Sequence, residues 1–260
     1  MSETLRDSVT GVEVVRFPGG ACELDNVARE EPLEIRIDGR PLAVTMRTPG
    51  HDEELALGFC ISEGIEVSGA GLTPELAANT IEVEAGRFDR DRLQRSFYTS
   101  SSCGVCGKGA LESVAVSAPR VESPLRVAAG LIAGLPAKLA TAQRAFAATG
   151  GLHASALFAS DGTLLNLRED VGRHNALDKV IGRAFLDGAL PLADTILCLS
   201  GRVSFELVQK AAIAGCPILV AVGAPSSLAV ELAGDRGVTV CAFVRDGRVN
   251  VYSEPWRVTT

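Results

Sequence analysis

The sequence predicts an α/β protein, a parallel or mixed sheet with helices on both faces, preceded by a smaller strand-rich lobe. Three observations carry this prediction. From residue 151 onward, short apolar β-prone runs alternate with helical segments, as they do when helices connect the strands of one sheet. Before residue 120 the chain reads mainly as short strands joined by turns, with one clear helix. Finally, 260 residues with 47% hydrophobic and 22% charged content suffice for one large domain or two unequal lobes, each with a core. We set the lobes at 1–120 and 121–260.

Taken in order, Val12–Arg16, Leu33–Ile37 and Leu42–Met46 read as strands, the last two joined by the turn Asp38-Gly39-Arg40-Pro41. His51–Glu63 fits a helix with Leu55, Leu57, Phe59 and Ile61 as apolar positions, and Gly64 ends it. Thr80–Glu84 is a further strand, and the charged stretch Gly86–Arg95 reads as a solvated surface segment. Gly109–Val116 fits a strand or a short helix, and Pro119–Pro124 a linker. Ala128–Phe146 has helical composition, with a break predicted near Gly134-Leu135-Pro136. Strand His153–Ala159, turn Asp161-Gly162 and strand Leu164–Leu167 follow, then a helix from about Gly172 to Leu186. Strand Thr195–Leu199, helix Ser204–Ala214, strand Pro217–Val222, helix Ser226–Ala233 and strand Val238–Phe243 continue the alternation. Arg248–Tyr252 closes it after the Asp246-Gly247 turn.

The net charge of −7 is unevenly spread. Residues 1–120 hold 12 Lys and Arg against 20 Asp and Glu, whereas residues 121–260 hold 13 against 12. This balance argues against generic nucleic-acid binding and leaves room for a phosphorylated small ligand where basic groups converge. No apolar run reaches a membrane span, and the first twenty residues lack a signal peptide's apolar core, so the expected setting is the cytoplasm. Seven cysteines, an odd number, fit that compartment better than a disulfide framework. Cys22, Cys60, Cys198, Cys216 and Cys241 sit mostly in apolar runs and read as small buried hydrophobes.

Cys103 and Cys106 break that pattern. They lie in Ser100-Ser101-Ser102-Cys103-Gly104-Val105-Cys106-Gly107-Lys108-Gly109, which predicts an exposed thiol pair on a mobile loop. Lys108 and unpaired loop amides favour the thiolate, the form that attacks and carries sulfur. A structural zinc site would need two more soft ligands, and no second Cys-x-x-Cys exists. A thioredoxin-like dithiol would normally open a helix, where this pair has Ser and Gly on both sides. Zinc-dependent deamination needs His-x-Glu, and His153-Ala154-Ser155 lacks the glutamate. A sulfur relay, in which one cysteine takes sulfur as a persulfide and the loop passes it on, uses exposure, mobility and thiolate character together.

Ligands of such a sheet bind outside the carboxyl ends of its strands. Three junctions there carry suitable residues. In Arg168–Asn175, Asp170 is a candidate helix N-cap, and Arg173 and His174 follow in the first turn, where amides and dipole already attract anions. Ser200-Gly201-Arg202-Val203-Ser204 supplies one arginine in a small-residue turn, and Gly223-Ala224-Pro225-Ser226-Ser227 a hydroxyl-rich helix start. Together they predict a phosphate-binding edge. His153 reads either as a core or edge histidine or as a proton carrier, and His51 as a capping or solvated residue.

Ser100-Ser-Ser-Cys103-Gly-Val-Cys106-Gly, Gly150-Gly-Leu-His153-Ala, Glu169-Asp-Val-Gly-Arg-His-Asn-Ala-Leu-Asp-Lys179 and Ser200-Gly-Arg-Val-Ser resemble, in this order, the motifs of the FdhD/NarQ family. The resemblance spans nearly the whole chain. It implies a cytidine-deaminase-like fold with a second lobe, and a homodimer. It also implies a sulfurtransferase needed for formate dehydrogenase activity, which receives sulfur from a cysteine desulfurase. The acceptor would be the molybdenum of a bis(molybdopterin guanine dinucleotide) cofactor, before its insertion into the apoenzyme. Cys103 would carry the persulfide and Cys106 assist or resolve it. Arg173, His174, Ser200 and Arg202 would meet the cofactor, as would the late segment Phe243-Val244-Arg245-Asp246-Gly247-Arg248, with Phe243 placed to stack on a guanine and GDP a mimic of the nucleotide end. The competing classes are a thiol-independent cofactor chaperone and a zinc-stabilised binding module.

Overall fold

The computed structural model describes residues 7–71, 79–86 and 118–260. Strands β1 (Val9–Arg16) and β2 (Ala21–Ala28) form an antiparallel hairpin. Strands β3 (Glu31–Ile37), β4 (Arg40–Arg47), β5 (Val67–Gly71) and β6 (Thr80–Ala85) make a four-stranded sheet in the order β4-β3-β6-β5. Alternate residues Leu33, Ile35 and Ile37 of β3 are fully buried, and Leu55 and Leu57 of helix α1 (Asp52–Ser62) pack against them.

The short strand β7 (Val127–Ala128) leads into helices α2 (Ala129–Ala142) and α3 (Arg144–Thr149). Then come β8 (His153–Ala159), β9 (Leu164–Asp170), α4 (Arg173–Leu186), β10 (Thr195–Leu199), α5 (Phe205–Ile213), β11 (Ile218–Ala221), α6 (Ser227–Arg236), β12 (Thr239–Arg245), β13 (Arg248–Val251) and β14 (Val258–Thr259). Six of these strands form the main sheet, ordered β13-β12-β11-β10-β8-β9. The sheet is mixed: β10, β11 and β12 run parallel, while β8 is antiparallel to both β9 and β10. Strand β10 shows why an unbroken apolar run folds this way. Leu197 and Leu199 enter the core beneath α4, α5 and α6, and Ile196 and Cys198 enter the one beneath α2.

The two sheets are joined through α1 and α4. A Cβ added at Gly58 would lie 1.8 Å from the Asp178 carbonyl oxygen, and one at Gly182 would lie 1.8 Å from that of Glu54. The helices therefore cross in backbone contact, which only glycine permits at these two positions. Buried polar groups surround the crossing. Asp178 accepts from Ser62 Oγ at 2.8 Å and pairs with Lys210 at 2.8 Å. Arg168 holds Glu54 through two hydrogen bonds of 2.5 and 2.8 Å.

Asp170 is not the N-cap of α4, a position taken by Gly172. It is fully buried, pairs with Lys179 Nζ at 2.7 Å and accepts from the Thr48 amide at 3.1 Å, so it anchors the end of β4 instead. The helical segment 128–146 breaks at Gln143 rather than at Pro136. There the Glu169 carboxylate accepts from the amides of Ala145 and Phe146, at 2.9 and 2.7 Å, and starts a new helix. Pro119–Pro124 is no free linker: Val121 is buried and its amide donates to the Arg236 carbonyl at 2.7 Å. Four of the five cysteines read as buried are so, with burial pushing the thiols of Cys60 and Cys241 up to about 12; Cys22, on the hairpin, is exposed. Residues 87–117, which include Gly109–Val116 and most of the charged stretch before the cysteines, lie outside the described residues.

Two stability predictions arise here. Gly182→Ala forces apart two packed helices and is expected to cost at least about 2 kcal/mol in urea unfolding; an unchanged midpoint would contradict the crossing. Burial raises the Glu54 carboxyl, but the hydrogen bonds and charges of Arg168 and His51 overcome it and bring the group down to about 2. Because the unfolded carboxyl protonates near about 4.3, Glu54 adds stability that is complete above about pH 5 and lost as the pH falls towards about 2. The stability difference between wild type and Glu54→Gln should therefore shrink across that range, and a constant difference would refute the assignment.

Candidate functional site

Strands β9, β10, β11 and β12 all deliver their carboxyl ends to one edge of the main sheet, and antiparallel β8 starts there with His153. The edge thus collects Arg173 and His174 from the first turn of α4, Ser200 and Arg202 from the turn after β10, Gly223 from the turn after β11 and Phe243 from β12. The turns are packed tightly. A Cβ on Gly223 would stand 2.8 Å from the Arg202 amide nitrogen, and one on Gly201 would stand 3.4 Å from His153 Nδ1. The Phe243 amide donates to the Gly223 carbonyl at 3.2 Å, which closes the row.

The electrostatics are those of an anion site. The first turn of α4 carries no acidic residue, so Arg173 and His174 stand at the positive end of the helix dipole. Arg173 is half-buried, and its Nε is buried with no hydrogen-bond partner among the described residues. Arg202 is exposed at the rim. His174 Nε2 lies 3.3 Å from Ser204 Oγ and 3.8 Å from the Glu206 carboxylate. The neighbouring His174 outweighs partial burial and holds the Glu206 carboxyl at about 2. Burial lowers the His153 pKa below its ordinary value, and the charges of Arg173, His174 and Arg202 lower it further, with Asp170 opposing. At neutral pH His153 is therefore an uncharged imidazole beside three basic side chains, able to donate or accept a hydrogen bond.

Positioning of Arg173 and His174 comes from their neighbours in sequence. Asn175 is buried, donates to the Met46 carbonyl at 2.7 Å and to Asp170 at 3.1 Å, and meets Thr45 Oγ1 at 3.1 Å. Lys179 is also buried and donates to the Thr48 carbonyl at 2.8 Å. Within Glu169–Lys179, Arg173 and His174 face the edge while Asp170, Asn175, Asp178 and Lys179 fasten the helix to the other lobe.

The sequence-predicted residues divide as follows. Arg173, His174, Ser200 and Arg202 are brought together. Ser200 Oγ accepts from the Ala154 amide at 2.8 Å, leaving its hydroxyl proton for a ligand. Phe243 sits at a bulge in the β12–β13 ladder with φ 51°, a backbone conformation rarely adopted by a bulky residue, and its side chain is left partly exposed. Val244 is fully buried in the core beneath α2, so only its backbone is open to a ligand. Arg245 and Arg248 pair across the hairpin turned by Asp246 and Gly247, both at positive φ, and all four are exposed. Cys103 and Cys106 lie outside the described residues. His153 and Gln143 belong to the site's surroundings although the sequence marked the first only as one of two readings and the second not at all. Among the described residues no three His, Cys, Asp or Glu side chains converge as metal ligands.

Comparison with known proteins identifies the family of the chain. Sulfur carrier protein FdhD of Streptomyces coelicolor is 47% identical over 95% of this chain and 94% of its own. The protein of the same name from Mycolicibacterium paratuberculosis is 50% identical over 88% of this chain and 90% of its own. That of Picrophilus torridus is 43% identical over 90% and 92%, respectively. A crystal structure of a formate dehydrogenase accessory protein from Desulfotalea psychrophila superposes with a TM-score of 0.73 at 26% identity, covering 96% of this chain and 98% of that one. The model of the FdhD/NarQ family matches residues 28–259, from the end of the β1–β2 hairpin through β14, and with it the chain belongs to the FdhD/NarQ family.

Proposed function

We propose that this protein is a sulfur carrier serving formate dehydrogenase, and that its acceptor is the molybdenum of a bis(molybdopterin guanine dinucleotide) cofactor bound at the cationic sheet edge. The observation that carries the reading is the convergence of Arg173, His174 and Arg202 around neutral His153, with the Arg173 Nε left without a partner among the described residues. Phosphates supply the acceptors such a cluster lacks. Ser200 adds a hydroxyl, and Phe243 offers an aromatic face to one of the ligand's heterocycles. Arg245 and Arg248 extend the positive rim, with the Asp246-Gly247 turn between them and the Val244 backbone just before it.

The chemistry belongs to Cys103 and Cys106. The Cys103 thiolate attacks the outer sulfur of a desulfurase persulfide, the desulfurase cysteine leaves as thiolate, and the new S–S bond sits on Cys103. In delivery, the Cys106 thiolate attacks Cys103 sulfur. A Cys103–Cys106 disulfide forms and the outer sulfur leaves as sulfide, so the two thiolates supply the two electrons it gains. The sulfide then becomes a ligand of the acceptor metal, and a thiol reductant resets the pair. The partners implied are a cysteine desulfurase, the formate dehydrogenase apoenzyme and a second copy of this chain, in the cytoplasm. No described helix is long and apolar enough to cross a membrane.

The test is intact mass after incubation with a cysteine desulfurase and cysteine. Wild type should gain one sulfur atom that a reductant removes, and Cys103→Ala should gain none while melting as wild type does. Cys106→Ala should load but not release. Absence of loading in wild type, with the desulfurase shown to be active, would reject the carrier in favour of a thiol-independent cofactor chaperone.

A further inference from the structure

The most exposed large apolar side chains among the described residues are Phe17 and Leu24, at 84% and 75%, and both belong to the β1–β2 hairpin. The strand register shows how they are gathered. Val15 stands opposite Cys22 and Glu13 opposite Leu24, so these four side chains share one face, and Phe17 follows in the turn at its tip. Gly11 leaves room on that face: a Cβ there would stand 3.4 Å from Leu24 Cδ1. On the reverse face the charges are matched within the hairpin, where Arg16 donates to Glu23 at 2.7 Å and to Asp25 at 3.1 Å. A two-stranded ribbon is marginal in water by itself, and a contiguous apolar patch turned outward marks a surface that a partner covers.

Three observations point to what covers it. The first is place. At the base of the same face, Ala28 Cβ lies 3.6 Å from where a Cβ on Gly151 would stand, and α3 packs alongside. Gly151 belongs to the segment that carries His153 to the sheet edge, so the hairpin stands beside the cationic end of the molecule. The second is charge. From Glu13 to Asp25 the hairpin holds three acidic residues against the single Arg16, and Glu13 borders the apolar patch. A protein that takes over a phosphate-rich ligand needs a basic entrance, which an acidic hairpin complements. The third is area. Val15, Phe17 and Leu24 expose at most a few hundred Å², short of the roughly 800 Å² per partner of a stable interface, and pairing with a second copy would bring two acidic hairpins together. A cleft that receives the whole ribbon covers both its faces. We infer that the hairpin is the docking arm for the apoenzyme that takes the cofactor, seated by Val15, Phe17 and Leu24 in an apolar cleft with a basic rim. The inference rests on the carrier reading above and adds the surface through which the protein meets its client. The family match begins at residue 28, so the arm lies outside it, a place suited to a contact with one particular partner.

The experiment measures binding of the full chain to purified formate dehydrogenase apoenzyme by surface plasmon resonance, with persulfide loading and sedimentation followed on the same proteins. Wild type should bind the apoenzyme, more weakly as salt rises. The double variant Phe17→Ser with Leu24→Ser should bind it about tenfold more weakly or worse, yet melt, load sulfur and sediment as wild type does. Glu13→Lys should weaken binding and flatten its salt dependence. Leu165→Ser, the same change at an exposed leucine of β9, should bind as wild type does. Unaltered apoenzyme affinity in the double variant overturns the arm, and so does an equal loss in Leu165→Ser. A double variant that no longer loads sulfur assigns the face to the desulfurase, and one that sediments as a smaller species assigns it to a second copy; either result overturns the arm as well. Wild type that loads sulfur but does not bind the apoenzyme overturns the arm and spares the carrier. Wild type that does not load removes the carrier reading and this inference with it.

Discussion

Helices α1 and α4 touch backbone to backbone at Gly58 and Gly182, and the architecture depends on that contact. It brings the small sheet to the N-terminal end of α4, so that the end of β4 can be held by Asp170, Asn175 and Lys179. Breaking the Asp170–Lys179 pair would leave an uncompensated charge where neither partner is more than 1% exposed, a loss of about 3–5 kcal/mol. The fixation has a functional side. Arg173 and His174 occupy the turn of α4 between Asp170 and Asn175, so the same bonds that dock the lobes also set the direction of the two basic side chains.

Gathering basic groups at a helix N-terminus opposes the dipole, and a fold that did so without a ligand would only lose stability. Here the opposition is partly relieved, because Glu206 approaches His174 and Asp170 lies behind His153. Arg173 is relieved least, with its Nε buried and unpaired among the described residues. The edge is thus balanced for an added negative charge.

Much of this was legible in the sequence, for physical reasons. Strands buried on both faces read as unbroken apolar runs, and the strand Thr195–Leu199 matches its expected bounds. Alternation of strands and helices fixed which loops share an edge, and so predicted that Arg173, His174 and Arg202 would meet. What stayed hidden depends on distant partners. Asp170 has the sequence signature of an N-cap, and only the arrival of Lys179 and β4 makes it a buried ion-pair member. Pro136 reads as a helix breaker, but α2 passes through it and ends where Glu169, from another strand, caps new amides. Ala21–Ala28 carries Glu23, Asp25 and Asn26 at its centre and Val67–Gly71 holds two glycines, so neither announced itself as a strand. Cys103 and Cys106 were the clearest chemical signal in the sequence, and they lie outside the described residues.

The central claim is that sulfur held on the cysteine pair passes to a ligand bound at the cationic edge. It is tested most directly by loading the protein with radiolabelled persulfide sulfur, removing the desulfurase, and adding the molybdenum cofactor. The label should leave the wild-type protein and appear with the cofactor in a single turnover, while a protein with Arg173 and Arg202 both replaced by Ala should load normally and retain it. Release at the same rate from both proteins, or release that does not require the cofactor, would contradict the account.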